Sequence, residues 1–150
     1  MDPVTVIAIL SAHLFCSGGL LMLLSLRLGH VPGLKTWACG LMVYGLSLAL
    51  GLAAGLGGSS HWAPVANVLT FASLLLVGAG LRRFIAPAPP APRMPTGWVV
   101  TAYALVHAVT HLGWSAQARI VEHNVAMGLA FLWLSAMAVT LNQRHEAGHQ

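Results

Sequence analysis

Between Lys35 and Arg82 the chain runs for 46 residues without an Asp, Glu, Lys or Arg. A run of this length fixes the solvent before it fixes the fold, because a water-facing surface needs charge at short intervals. A transmembrane helix takes about 20 apolar residues, so a run of 46 reads as two spans. The string Gly55-Leu56-Gly57-Gly58-Ser59-Ser60-His61 punctuates its middle. Three shorter runs read as one span each: 24 residues between Asp2 and Arg27, 25 between Arg93 and Arg119, and 21 between Glu122 and Arg144. The 150 residues are 57% hydrophobic and 7% charged, against about 25% charged in a soluble domain. A soluble fold, a disordered tail and a nucleic-acid binder are excluded. The net charge of +4 therefore has to be read by position along the spans.

Backbone polar groups in lipid must be satisfied within their own segment, which selects helices, and no strand alternation suggests a barrel. The sequence predicts one all-α domain, an integral membrane bundle of five transmembrane helices at about 4–27, 35–56, 63–85, 96–115 and 118–141. A Pro-rich linker covers 86–95 and a tail covers 142–150. The linker segment Ile85–Pro95 carries five prolines and favours an extended conformation that cannot continue a helix. Arg27, Lys35, Arg82, Arg83, Arg93 and Arg144 fall on one side, and Arg119 alone on the other. The positive-inside rule then predicts an outside N-terminus and a cytoplasmic C-terminus in a bacterial inner membrane. Met1-Asp2-Pro3 supplies no basic segment before the first run, so that run reads as a retained span and not a signal peptide. Trp37, Trp62, Trp98 and Trp114 sit at predicted span ends, as interfacial anchors do. Gly51-x-x-x-Gly55, with Gly40, Gly45, Ser47, Ser73 and Gly80, predicts close helix packing within the chain or between copies of it.

The strings along the first three helices resemble a known pattern. They are Pro32-Gly33 followed by Trp37-Ala38-Cys39-Gly40, then Asn67, then Gly80-Leu81-Arg82-Arg83-Phe84, with Arg119-Ile120-Val121 opening the fifth helix. Together they resemble the amino-terminal membrane region of bacterial diguanylate cyclases of the GGDEF class. The resemblance covers roughly residues 4–141 and implies a membrane sensor region. It departs in length: members of that class continue through two more helices into a catalytic domain. Here the sequence ends at Gln143–Gln150 with no Gly-Gly-Asp/Glu-Glu-Phe loop, which implies a stand-alone sensor-like protein or a fragment, without cyclase activity.

Eight histidines are many for such a chain. His30, His145 and His149 fall in cytoplasmic loop or tail. His13, His61, His107, His111 and His123 fall in the outer half of the predicted bilayer. At 1.5 Å per residue His13 lies about 15 Å from the outer end of its helix, His107 about 10 Å and His111 about 5 Å. His107 and His111 share a helix face. Ionisable groups inside a span face the bundle interior and are functional candidates, and imidazole ligates zinc, copper and haem iron. Three readings stay open. Haem b would use His13 and His107, whose depths match best. A copper or zinc site would use His107, His111 and His123, with Glu122 and Arg119 around it and Cys16 near His13 as a softer donor. A hydrogen-bonding or proton-linked role would use Thr101, Thr110, Ser11, Ser17 or Asn124 as partners. The geometric expectation is one shared polar pocket in the bundle interior holding His13, His107, His111 and at least one of His61 and His123.

No Gly-x-Ser-x-Gly, His-Glu-x-x-His or carboxylate pair occurs, so an enzyme is not expected. A transporter is disfavoured because no inverted repeat is evident. The leading expectation is a membrane sensory or regulatory module that detects a ligand, metal or redox state near the outer leaflet. The alternative is a small haem or metal protein of membrane electron transfer. The expected partners are the lipid bilayer and a homodimer or larger membrane assembly, with no nucleic acid.

Overall fold

The computed structural model describes residues 2–29, 31–57, 61–85 and 96–147, with side chains described at 2–29, 31–57, 61–85 and 97–140. It is all-helical: α1 Pro3–Arg27, α2 Leu34–Gly57, α3 Trp62–Ile85, α4 Thr96–Gly113 and α5 Ala116–Ala147. Four of these, α1, α2, α3 and the first 25 residues of α5, are long and apolar enough to cross a membrane. The fourth helix is the exception among the five expected spans. It has 18 residues, about 27 Å of rise, and its two histidines, tyrosine and threonines dilute its apolar character. The other bounds agree with expectation to within about two residues, except at the end of α5. There Leu141–Ala147 continues the helix beyond the apolar span, because Leu, Gln, Arg, Glu and Ala all favour helix whatever the solvent. The linker residues 86–95 lie outside the described residues, as do His30 and His149; the side chain of His145 is not described either.

The first three helices pack in a row, and the last two close a three-helix cluster with the third. Among the described residues α1 rests on α2, α2 on α3, and α3 alone meets α4 and α5, which also pair with each other. The first three elements close through small residues. A Cβ on Gly18 would lie 2.9 Å from the carbonyl oxygen of Ala38, and one on Gly45 would lie 2.8 Å from that of Ser11. On the other face of α2, a Cβ on Gly40 would lie 2.8 Å from the Val77 backbone nitrogen, and one on Gly80 2.8 Å from the Trp37 Cα. Hydroxyls occupy the same seams: Ser11 Oγ donates to the Gly45 carbonyl at 2.6 Å and Thr70 Oγ1 to Ser47 Oγ at 3.0 Å. Small side chains permit this approach, and approach supplies the dispersion contacts that join helices in lipid. Gly33 begins the second helix's entry with φ +80°, and a Cβ there would overlap the Gly80 carbonyl.

Gly51 and Gly55 do not belong to these seams. Both are exposed; a Cβ on Gly51 would meet only Ala66 at an ordinary 3.8 Å, and one on Gly55 would meet nothing within 4 Å. The spacing was right for a packed stripe, but α2 turns the residues at 40, 45 and 47 towards its neighbours at this crossing.

The contact of α3 with α4 and α5 is built differently. Phe71, Leu74, Leu75, Tyr103 and Ala130 form a buried cluster, bordered by Val68, Val100, Met127 and Trp133. The Phe71 and Tyr103 rings lie 4.3 Å apart. Towards the short Trp114-Ser115 connection, this apolar cluster gives way to polar side chains.

Candidate functional site: a polar cluster joining three helices

The α4–α5 hairpin places Tyr103, His107, Thr110 and His111 on one stripe of α4, because residues three and four apart share a helix face. Opposite them α5 presents Arg119, Glu122 and His123. Asn67, just over one turn into α3, completes the arrangement.

His107 is the centre. Only 1% of it is exposed. Its Nδ1 lies 2.6 Å from Glu122 Oε2 and its Nε2 lies 3.3 Å from Asn67 Nδ2. These partners agree on one tautomer: Asn67 donates to Nε2, and Nδ1–H donates to the carboxylate. Thr110 Oγ1 donates to the His107 carbonyl at 2.9 Å and reaches Glu122 Oε2 at 3.4 Å. Tyr103 stacks on the His107 ring at 5.5 Å between centroids, and its hydroxyl is hydrogen-bonded to His123 Nδ1 at 2.6 Å. Next to this group, Arg119 Nη1 donates to His111 Nδ1 at 2.7 Å. A guanidinium has no acceptor, so that nitrogen of His111 carries no proton. Among the described residues no buried side-chain nitrogen or oxygen is left without a partner. This is the condition for polar groups inside an apolar bundle.

The histidines expected in one pocket are therefore divided. His107 and His123 come together, with ring centroids 6.2 Å apart. His111 joins Arg119 at the hairpin end. His61 is exposed beside the start of α3. His13 is exposed on α1, which meets only α2 among the described residues. With α2 and α3 intervening, His13 and His107 do not face each other, and the haem pairing of these two is not what the fold builds.

The metal set fares no better. Among the described residues no three His, Cys, Asp or Glu side chains form a group able to hold a metal ion. The reason lies in the lone pairs. A neutral imidazole has one acceptor nitrogen. In His107 and His111 that nitrogen faces a donor, Asn67 and Arg119 respectively. At His111 the competing donor is also a cation. The two cysteines, Cys16 and Cys39, are both exposed and free.

Sequence reasoning had given Glu122 only an outer-mouth role and had not singled out Tyr103. The signal for both was present: Tyr103 lies four residues before His107, and Glu122 is the single acid within the fifth span. Asn67 was noted only as part of a family pattern. Its hydrogen bond to His107 joins positions 40 residues apart, which no local spacing encodes.

Beside the cluster, α4 and α5 form an open groove of about 630 Å³ lined by Tyr103, Val106, Trp114, Val121, Glu122 and Val125, among others. Among the described residues no hydrogen bond reaches Glu122 Oε1. Since no buried atom lacks a partner there, Oε1 is the accessible oxygen, set in apolar walls.

No family model, curated protein or solved structure matches the chain.

Proposed function

We propose that the chain is a membrane sensory or regulatory module in a bacterial inner membrane, with the Asn67–His107–Glu122 cluster as its sensing element. The observation that carries this reading is the position of the cluster. It joins the α4–α5 hairpin to α3 at a contact built mainly of side chains, with one glycine notch at Gly78, where α1–α3 meet through repeated backbone-to-backbone seams. A change at Glu122 therefore acts on the helix contact that depends on paired polar side chains. The resemblance to the membrane regions of GGDEF-class cyclases supports the same reading.

In the orientation we propose, the N-terminus is outside, α4 crosses antiparallel to α5, and the basic ends of α1 and α3 face the cytoplasm. The cluster then lies near the outer leaflet, and α5 runs from it to the cytoplasmic side. Of the stimuli considered, a lipid-soluble ligand with a hydrogen-bond donor fits better than a metal, because the groove brings such a donor to the free oxygen of Glu122. The module is not an enzyme in this reading. Electron transfer through haem or metal is the weaker alternative, since His107, His111 and His123 are engaged in hydrogen bonds and His13 stands apart from them on α1.

The test is a distance measurement. Spin labels at Ile85 and Thr140, in a cysteine-free background, report the far ends of α3 and α5. Glu122→Gln keeps the shape and removes the charge. We expect it to shift the label distance by about 1–2 Å, the scale of helix shifts in known switches. Unchanged distances in both Glu122→Gln and His107→Leu would leave the cluster a static structural contact and overturn the proposal.

A further inference from the structure

We propose that α1 is a homodimerisation helix, and that His13 from each of two copies forms a hydrogen bond across the dimer axis. The inference stands apart from the sensory reading and rests on a different part of the molecule.

α1 uses one side only. Ser11, Gly18 and Ser25 are buried against α2, and the opposite face is open. On that face Val6, Ile9, His13, Cys16, Leu20 and Leu23 follow one another at alternating intervals of three and four residues, and all are exposed. This is the spacing of a seam between two helices that cross at a small angle. His13 is the polar member of that seam. It lies about 15 Å from the start of a helix about 37 Å long, too deep for its short side chain to reach either surface. Hydrocarbon offers an imidazole no partner, and among the described residues no side chain is hydrogen-bonded to His13. Something must cover it.

The chemistry of the group selects the occupant. Two copies in one membrane share their orientation, so a two-fold axis along the membrane normal puts both His13 side chains at one depth. Residues at such an axis meet themselves and must be self-complementary. A neutral imidazole is: it carries one donor and one acceptor, so one ring donates to the other. A single polar residue in an otherwise apolar seam also fixes register, since any slip leaves it unpaired. A partner of different sequence would have to supply a matching group at that depth; a second copy supplies it by construction.

Cys16 lies in the same seam, one turn along, and reports the contact directly. The full chain carrying Cys39→Ser is reconstituted in phospholipid vesicles at low protein density and oxidised with copper–phenanthroline. We expect a disulfide-linked dimer through Cys16. The complementary variant, Cys16→Ser with Cys39 retained on α2, gives none. Adding His13→Leu to the Cys16 reporter lowers the dimer yield about three- to ten-fold, the range for one interhelical hydrogen bond in a membrane. His13→Gln restores it, because an amide also both donates and accepts. His13 is exposed on the side of α1 away from its buried residues Ser11, Gly18 and Ser25, so these variants are expected to fold, and an unchanged melting temperature of the monomer verifies it. Absence of a Cys16 dimer, equal crosslinking through Cys39, or a yield indifferent to His13→Leu would each overturn the proposal.

Discussion

The two halves of this bundle are joined by opposite means. Between α1, α2 and α3 the helices meet backbone to backbone, with Gly18, Gly40, Gly45 and Gly80 at the crossings and hydroxyls bonded into the neighbouring turn. Between α3 and the α4–α5 hairpin they meet through larger side chains, an apolar cluster around Phe71 and Tyr103 and, beside it, a polar cluster around His107. The first kind of contact is rigid, because a close-packed seam has no second arrangement of similar energy. The second is conditional. It holds while each donor has its acceptor, and every one of its central members can change a proton, a rotamer or a partner. The lesson is that the same solvent supports two kinds of adhesion, one suited to a scaffold and the other to a response.

The comparison breaks most visibly at its polar end. His107→Leu leaves the Glu122 carboxylate and the Asn67 amide facing apolar walls. We expect a loss of about 3 kcal/mol, the lower range for breaking a buried pair, confined to the hairpin. Hydrogen exchange should rise in α4 and the first half of α5 while α1 and α2 stay protected. A second substitution, Glu122→Leu, should recover part of the loss, because an apolar pair costs less than a half-made polar one. A uniform rise in exchange across all five helices would show that the two halves are not separable.

At the rigid end, Gly80→Ala puts a methyl against the Trp37 backbone, which cannot turn aside as a side chain can. The expected cost is about 2–3 kcal/mol, at the upper end of overpacking, read as a lower melting temperature in detergent with the polar cluster intact. An unaltered melting temperature would mean that the α2–α3 crossing yields, and the scaffold is softer than its seams suggest. The smallest effect belongs to Gly51→Ala. The residue is exposed and its new methyl finds only van der Waals contact with Ala66. Stability should stay level or rise by about 0.5–1 kcal/mol from helix propensity. A clear loss of stability would restore Gly51 to a packing seam.

How much of this was legible in the sequence follows from the same contrast. The five helices were readable because charge spacing is set directly by the bilayer. The seams were half readable: small residues marked α2 as a packing helix, yet spacing put Gly51 and Gly55 alongside Gly40 and Gly45, and only the latter pair meets a neighbour closely. Which glycine meets a neighbour depends on where two helices cross, and that is decided in three dimensions. Of the histidines, the pairing of His107 with the start of α5 was within reach, since a two-residue connection makes α4 and α5 neighbours. His13 was drawn into the same pocket by depth alone. Depth along the membrane normal says nothing about position within its plane, and the row order of the helices separates the two. Several residues behind the family resemblance have packing tasks as well. Gly33, Trp37, Gly40 and Gly80 all lie at the α2–α3 crossing, so the pattern they form is also what a tight crossing requires.

The length of α5 carries one more consequence. Its 32 residues make a rod of about 48 Å, longer than the hydrocarbon it crosses. Near its middle, Trp133 and Leu134 sit in the notch left by Gly78 of α3, where a Cβ would collide with both. In the sensory reading we propose, that notch serves as a fulcrum. Glu122 lies about 18 Å from it on one arm and Ala147 about 20 Å on the other, at 1.5 Å per residue. The arms are nearly equal, so a tilt about Gly78 delivers at one face of the membrane almost the whole displacement made at the other, in the opposite direction. Filling the notch would jam the beam without touching either end.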